Sequence, residues 1–144
     1  NNVKLSLFDV ANVSAPTEAV TPYLVQGSWS NTPVLNEEGG HKAFLFDKSR
    51  QLLALPISVD WYQLRDSTYS YKVFQGEYVF NLSLDSGFVL KGTVTHQVDA
   101  AQSDSNYNVN RALYIDNVLY TISNKKVKLN SLENLEPLKE IELD

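Results

Sequence analysis

The end of the chain alternates short apolar segments with turn residues, a pattern typical of consecutive antiparallel β-strands. The residue pair Asp116 and Asn117 suits a two-residue hairpin turn between the first two segments. The four segments are RALYID (111–116), VLYTIS (118–123), KVKLNSL (126–132) and EPLKEIELD (136–144). The pattern predicts one four-stranded antiparallel meander.

The last of these segments also repeats apolar residues at a helical spacing, and Ser131 is a suitable helix N-cap. The repeating residues are Leu132, Leu135, Leu138 and Ile141. Pro137 would then lie inside the helix, where it removes a hydrogen bond and clashes with the preceding turn at a cost of about 3 kcal/mol. We therefore predict a strand.

The polarity of the four segments changes in order along the chain. The first two are nearly apolar on both faces, the third alternates lysine with Val127 and Leu129, and the last alternates charge with Ile141 and Leu143. A strand packed between neighbouring sheets must be apolar on both sides, whereas an edge strand needs charge to prevent pairing with other chains. This gradient is the one expected for a propeller blade, from the axis to the rim.

The middle of the chain repeats the pattern with longer connections. Its segments are HKAFLFD (41–47), QLLALPISV (51–59), YKVFQGEYVFNLS (71–83) and GFVLKGTVTH (87–96), and the polar connections are 26–40, 60–70 and 99–110. The opening segment matches the third and fourth strands of the final unit, since Leu5, Leu7, Val10 and Asn12 align with Val127, Leu129, Leu132 and Asn134.

We therefore predict an all-β chain of about two and a half four-stranded antiparallel blades of a β-propeller. The expected units are a half blade over 1–25, a blade over 41–96 and a blade over 111–144. Propellers close with about four to eight blades, so we expect this chain to be part of a larger ring. Its exposed blade faces are then expected to favour self-association.

Three stretches resemble the last blades of the secreted β-propeller domain proteins of archaea and bacteria. They are HKAFLFDKSRQLLALPISV, GEYVFNLSLDSGFVLKGTVTH and RALYIDNVLYTISNKKVKLNSLENLEPLKEIEL. The joint pattern of His41 to Phe44, Thr95 with His96, and Arg111 to Ser123 carries the resemblance. It implies an extracellular or cell-surface location, and it brings no catalytic motif with it.

Composition narrows the classes of partner. A net charge of −5 and an isoelectric point near 5.0 argue against binding to nucleic acid or to an anionic membrane. No apolar run approaches the length of a transmembrane span, so we expect no membrane insertion by this segment. The absence of cysteine excludes disulfides and thiolate sites, and the absence of methionine suggests a chain processed or cut from a longer one.

The sequence DSNYNVN places oxygen-bearing side chains at alternate positions, as in the opening of a calcium loop. The alternating residues are Asp104, Asn106, Asn108 and Asn110. Val109 replaces the glycine of the sharp turn, and Ile115 stands where a bidentate glutamate would close the loop. We therefore expect a solvated loop between blades and no cofactor, with calcium as the alternative.

The two histidines, His41 and His96, each lie at the boundary of a predicted strand. We expect them to be structural, with hydrogen bonds that fix strand ends, although a metal site is the alternative. No serine lies in a G-x-S-x-G motif; Gly27 and Ser28 begin the nearest match, which lacks the second glycine. No catalytic residue is therefore predicted.

Four aromatic residues cluster in one stretch: Trp61, Tyr62, Tyr69 and Tyr71. Aromatic rings with polar tips favour half-buried interfaces, so this stretch is a candidate surface for binding a protein or a glycan. Packing between blades is the alternative.

These observations favour a non-catalytic binding or scaffold portion of an exported propeller protein, which presents loops to a protein or glycan partner. One alternative is that the chain forms part of the wall of a propeller enzyme. The innermost positions, Ala43 to Leu45 and Ala112 to Tyr114, are better suited to packing than to chemistry. A second alternative is a calcium-stabilised surface protein.

Overall fold

The computed structural model describes residues 1–35, 39–99 and 104–144. In these residues the regular structure is β-strand, apart from short 3₁₀ helices. The strands are β1 (Lys4–Leu5), β2 (Phe8–Asp9), β3 (Thr17–Glu18), β4 (Tyr23–Leu24), β5 (Trp29–Asn31), β6 (Leu45–Asp47), β7 (Leu52–Arg65), β8 (Thr68–Ser83), β9 (Gly87–Val94), β10 (Arg111–Ile115), β11 (Val118–Ile122), β12 (Lys126–Ser131) and β13 (Pro137–Glu142).

The last four strands form one antiparallel sheet in the order β10-β11-β12-β13. Asp116 and Asn117 make the predicted two-residue turn, because Ile115 pairs directly with Val118 and Asp116 has a φ of 52°. The final segment is a strand that pairs with β12. The prediction of strand over helix is therefore confirmed.

The central sheet has the order β5-β7-β8-β9, and β6 pairs with the other end of β7. The prediction of an innermost strand at 41–47 is only partly correct. Gly40–Ala43 forms a 3₁₀ helix, and the strand is Leu45–Asp47. Gly39 explains the difference, because its left-handed backbone at φ 86° starts a tight turn at this point.

The prediction of a loop at 60–70 is wrong. Strands β7 and β8 continue through it as a single hairpin, paired from Leu52 with Asn81 to Arg65 with Thr68. The turn residues Asp66 and Ser67 both have positive φ, 47° and 66°. Two positive φ values match the twist of the flanking strands, which lets the hairpin continue without splaying.

The beginning of the chain forms an antiparallel ribbon of short strands. Lys4 pairs with Leu24 in the sheet of β1 and β4, and Phe8 pairs with Glu18 in the sheet of β2 and β3. The ribbon is two strands wide along its whole length, because β1 pairs with β4 and β2 pairs with β3. Each later sheet has at least four strands. The all-β fold class, with partial propeller blades, is therefore confirmed.

The hydrophobic core lies on the two faces of the central sheet, because alternate residues of β7 point to opposite sides. Leu53, Leu55, Ile57 and Val59 pack with Val3 and Val25 of the opening ribbon. Leu52, Ala54 and Val79 pack with Ala112 and Leu119 of the last sheet. Each fully buried aliphatic side chain contributes about 1.5–3 kcal/mol, so both interfaces stabilise the stack of sheets.

We predict that Leu119→Ala lowers the free energy of unfolding by about 2–5 kcal/mol, since it opens a cavity between two sheets. Leu119 is fully buried, whereas Leu138 on the outermost strand is 57% exposed. The matched variant Leu138→Ala should change stability by no more than about 0.5 kcal/mol. Urea denaturation measures both, and equal losses would contradict this assignment of the interface.

Candidate functional site

A two-stranded hairpin projects from the central sheet. Strand β5 pairs with β7 only as far as Asp60, and strand β9 pairs with β8 only from Glu77. From the pair Trp61 and Lys72 to the pair Arg65 and Thr68, β7 and β8 pair only with each other. Residues 61–72 are defined here as the projecting hairpin, which extends about 17 Å at the usual rise per strand residue.

One face of the projecting hairpin is aromatic and apolar. Tyr62 pairs with Tyr71, and Leu64 pairs with Tyr69. Directly paired residues and residues two apart share a face of an antiparallel pair, so these four side chains lie together. Their exposures are 56%, 50%, 60% and 79% in that order. The rings of Tyr62 and Tyr71 stack, with centroids 5.0 Å apart and planes at 29°.

The base of this face is held by polar contacts. Tyr71 OH donates to Asp60 Oδ1 at 2.8 Å. This hydrogen bond raises the pKa of Tyr71 to about 12, so the phenol stays protonated at neutral pH. The backbone N–H of Tyr62 donates to Ser28 Oγ at 3.0 Å, and Ser28 N–H donates to the Asp60 carbonyl at 2.8 Å. The hairpin is therefore tied to the preceding connection.

The aromatic residues singled out in the sequence separate into two groups. Tyr62, Tyr69 and Tyr71 share the exposed face, whereas Trp61 lies on the opposite face, beside the ammonium of Lys72 and packed against the core. Leu64 belongs to the exposed face and was missed. The alternation of Tyr62 and Leu64 was the available signal, but it carries meaning only once the stretch is known to be a strand.

Gln75 joins the base of the projecting hairpin to the connection that leads into the last sheet. Its Oε1 accepts from the Val109 N–H at 2.7 Å, and its Nε2 donates to the Val109 carbonyl at 3.0 Å. Both residues are buried. The amide side chain thus pairs with one residue's backbone as a neighbouring strand would, which fixes the hairpin relative to the last sheet.

His96 lies in the same interface and is fully buried. Its Nδ1 is 2.9 Å from Ser123 Oγ, and its Nε2 is 2.8 Å from Thr121 Oγ1. Burial, followed by the nearby charges of Lys128 and Lys126, lowers its pKa to about 4. The imidazole is therefore neutral at pH 7, and its ring bridges the central and last sheets.

Glu77 lies two residues from Gln75 on the same strand and is completely buried. Neither carboxyl oxygen has a hydrogen-bond partner among the described residues. Burial raises the pKa of Glu77 well above its ordinary value. This setting favours the neutral form of the carboxyl group, because burying an unpaired charge is far more costly.

The remaining site residues predicted from the sequence lie apart from the hairpin face. His41 is exposed in the 3₁₀ helix, whereas His96 is fully buried. Asp104 caps the 3₁₀ helix Ser105–Tyr107, and its Oδ1 accepts from the N–H and Nδ2 of Asn106 at 2.9 and 3.0 Å. The Oδ1 of Asn108 is buried without a partner in the described structure. The solvated loop stays a prediction, with calcium binding as its alternative.

A second polar cluster links the innermost strands on the opposite rim. The Asp47 carboxylate accepts from Ser49 at 2.6 Å, from Tyr114 OH and from the N–H of Arg50 at 3.1 Å. These hydrogen bonds, that of Ser49 first, lower the pKa of Asp47. The Arg50 guanidinium lies 4.8 Å from the centre of the Tyr114 ring and donates to Asn117. The cluster joins the two sheets.

Among residues 1–35, 39–99 and 104–144, no group of three or more His, Cys, Asp or Glu side chains is arranged to hold a metal ion. In the same residues no helix has the length and apolar character needed to cross a membrane.

Successive antiparallel sheets that bury their faces against one another are typical of β-propeller structures. A family model described as beta propeller domain matches residues 1–135. The chain belongs to this family, which confirms the β-propeller assignment made from the blade segments.

One relative is an uncharacterized protein from Archaeoglobus fulgidus, 29% identical over 142 residues. The match covers 99% of this chain and 17% of the relative. No solved structure matches the chain.

We predict that Glu77→Gln stabilises the protein at neutral pH. The pKa of Glu77 is higher in the folded state than in the unfolded state. Its contribution to the free energy of unfolding is therefore fully present below the unfolded-state pKa and is lost as the pH rises through the folded-state pKa. The loss is about 1.4 kcal/mol for each unit of pKa shift, and glutamine does not titrate. The midpoint of thermal unfolding of the variant should exceed that of the wild type by an amount that grows as the pH rises above the ordinary pKa of a glutamate.

The control for this experiment is Glu136→Gln, because Glu136 is exposed. Its difference from the wild type should stay nearly constant across the same range. His96 contributes with the opposite sign, since its lowered pKa removes stability as pH falls from about 6.5 toward 4, but both glutamine variants retain it. A pH-independent gain in Glu77→Gln would contradict the buried neutral acid.

Proposed function

We propose that this chain is a non-catalytic recognition module of an exported β-propeller protein, and that the projecting hairpin binds a protein or glycan partner. The residues assigned to binding are Tyr62, Leu64, Tyr69 and Tyr71. The stacked sheets act as the rigid frame that carries this surface.

The proposal rests on a row of large side chains that are exposed on the projecting hairpin and are not part of the hydrophobic core. An isolated two-stranded hairpin is marginally stable in water, and exposed apolar patches on a monomer often mark interaction sites. Tyrosine is enriched in binding surfaces because it offers a large contact area and a polar tip for little loss of conformational entropy. Leu64 and Tyr69, next to the turn, are the most exposed of the four.

The contacts at the base of the hairpin support the same function. Gln75, Ser28 and Asp60 hold the strands in place before any partner arrives. A surface that is already ordered loses less conformational entropy on binding than a mobile loop. The resemblance to secreted propeller proteins supports an extracellular or cell-surface location, where proteins and glycans are accessible partners.

We predict that Tyr69→Ser weakens partner binding about tenfold or more, the scale of a hot-spot residue. The probes are an array of defined oligosaccharides and a set of purified extracellular proteins from the source organism, each titrated with the labelled chain. The array and the protein set distinguish a glycan from a protein partner.

Ser70→Ala is the matched control, because Ser70 neighbours Tyr69 but lies on the opposite face of the hairpin. Any ligand of the wild type should bind this variant with unchanged affinity. Binding that survives Tyr69→Ser and Leu64→Ser alike, or the lack of any ligand in both sets, would refute the proposed recognition surface.

We also propose self-association through the outward face of the last sheet. The pairing register places two rows of apolar side chains on the face that points away from the central sheet. The rows are Leu113, Tyr120 and Leu129, and Ile122, Val127 and Ile141. The opposite face of the same sheet is buried against the central sheet, so the outward face is equally suited to cover another sheet.

We predict that the chain forms dimers or larger species whose fraction rises with concentration, because association covers this apolar face. Leu113→Lys should shift the mass measured by light scattering to that of the monomer. Leu84→Lys adds the same charge at an exposed residue of the β8–β9 hairpin and should leave the mass unchanged. A wild-type chain that is monomeric at every concentration would contradict the prediction.

A further inference from the structure

A cavity of about 340 Å³ lies between the central and last sheets, at the end of β7 opposite to the projecting hairpin. Its floor is apolar, because it includes Leu52 and Leu132, two buried residues of the core between these sheets. Its walls are polar and include the side-chain amides of Gln51, Asn81 and Asn117. An apolar floor with a few polar groups around it is the usual composition of a small-molecule site.

Two cationic side chains line the same cavity, and each is held by a contact with the last sheet. The Arg50 guanidinium lies 4.8 Å from the centre of the Tyr114 ring and donates to Asn117 Oδ1 at 3.2 Å. The Lys91 ammonium donates to the Leu132 carbonyl at 2.6 Å. Both cationic groups carry several N–H donors, so each keeps donors for a ligand after these contacts are made.

The charge of the cavity is positive, although the whole chain carries a net charge of −5. Among the described residues neither Arg50 nor Lys91 forms an ion pair with a carboxylate. The lining also contains Glu133, whose side chain is exposed to solvent. The Asp47 carboxylate already accepts hydrogen bonds from neighbouring hydroxyl groups and does not line the cavity. An anion in the cavity therefore meets two cations that no described ion pair neutralises.

We propose that this cavity binds an acidic sugar, either a uronate or a sulfated sugar. Arg50 and Lys91 bind the carboxylate or sulfate group through charge-assisted hydrogen bonds, for which the planar guanidinium offers two parallel donors. The amides of Asn81 and Asn117 hydrogen-bond to sugar hydroxyls, and Leu52 contacts an apolar face of the ring. A bare anion uses the cations alone and leaves the apolar floor uncovered. The site is separate from the tyrosine face of the projecting hairpin, and neither proposal depends on the other.

The test titrates glucuronate, sulfated glucose, neutral glucose and inorganic sulfate into the full chain and follows the backbone amides by two-dimensional NMR. We expect both acidic sugars to cause saturable shifts at residues that line the cavity. Glucose should bind about tenfold more weakly or less, because it forms no charge-assisted hydrogen bond. Inorganic sulfate should bind more weakly than sulfated glucose, because it makes no contact with the floor. Added salt should weaken the binding of both acidic sugars.

Arg50→Gln and Lys91→Gln should each weaken binding of the acidic sugars about tenfold or more. Glu133→Gln should strengthen it about twofold, because this variant lacks a carboxylate that repels the anion. Lys48→Gln is the matched control, since Lys48 is an exposed cation close to Arg50 in the sequence that does not line the cavity. Tyr69→Ser should also leave this binding unchanged, so failure of this proposal can be distinguished from failure of the proposed recognition surface.

Circular dichroism checks that each variant is folded, and Lys91→Gln carries the test alone if Arg50→Gln does not fold. The proposal is overturned if neither acidic sugar binds, or if glucose or inorganic sulfate binds as tightly as the acidic sugars. It is also overturned if Lys48→Gln weakens binding as much as the cavity variants do, because the attraction then comes from surface charge in general and not from the cavity.

Discussion

The rest of the structure depends on one constraint: the central sheet is apolar on both faces, so both faces must be covered. Along β7, Leu52 and Ala54 point to one side, whereas Leu53 and Leu55 point to the other, and all four are buried. A sheet of this kind is stable only between two neighbours. Stacking the opening ribbon and the last sheet against it produces successive wedges of a propeller, without any need for a helix.

Polar groups inside one of these interfaces determine how the sheets are aligned. Apolar surfaces can slide past each other at little cost, but hydrogen bonds from Gln75 to Val109 and from His96 to the last sheet are satisfied in one arrangement. Glu77 shares this interface without a hydrogen-bond partner among the described residues, and its burial raises the pKa of the carboxyl group. At the rim, Lys126 bridges Glu140 and Glu142 across β12 and β13, which places charge on the edge strand.

Much of the fold could be predicted because it depends on local chemistry. Asp116 accepts a positive φ and marks a turn, and Pro137 excludes a helix in the final segment. The projecting hairpin was missed because Asp66 and Ser67 suit a loop as well as a two-residue turn. The exposed aromatic face of the hairpin was only partly predicted: Tyr62 and Tyr71 stack across the strands, a pairing that depends on register.

The sequence by itself determined the all-β class, the four-stranded final sheet and its gradient from apolar inner strands to a charged edge. These properties follow from side-chain periodicity and turn residues, which act over a few positions. Only the tertiary structure decided that Trp61 and Tyr62 lie on opposite faces, that Glu77 is buried without a hydrogen-bond partner in the described residues, and that Arg50 and Lys91 line one cavity. Each of these features depends on which distant strands pack together and in what register. The contacts that stabilise them join residues far apart in the sequence, so a local sequence pattern does not reveal them.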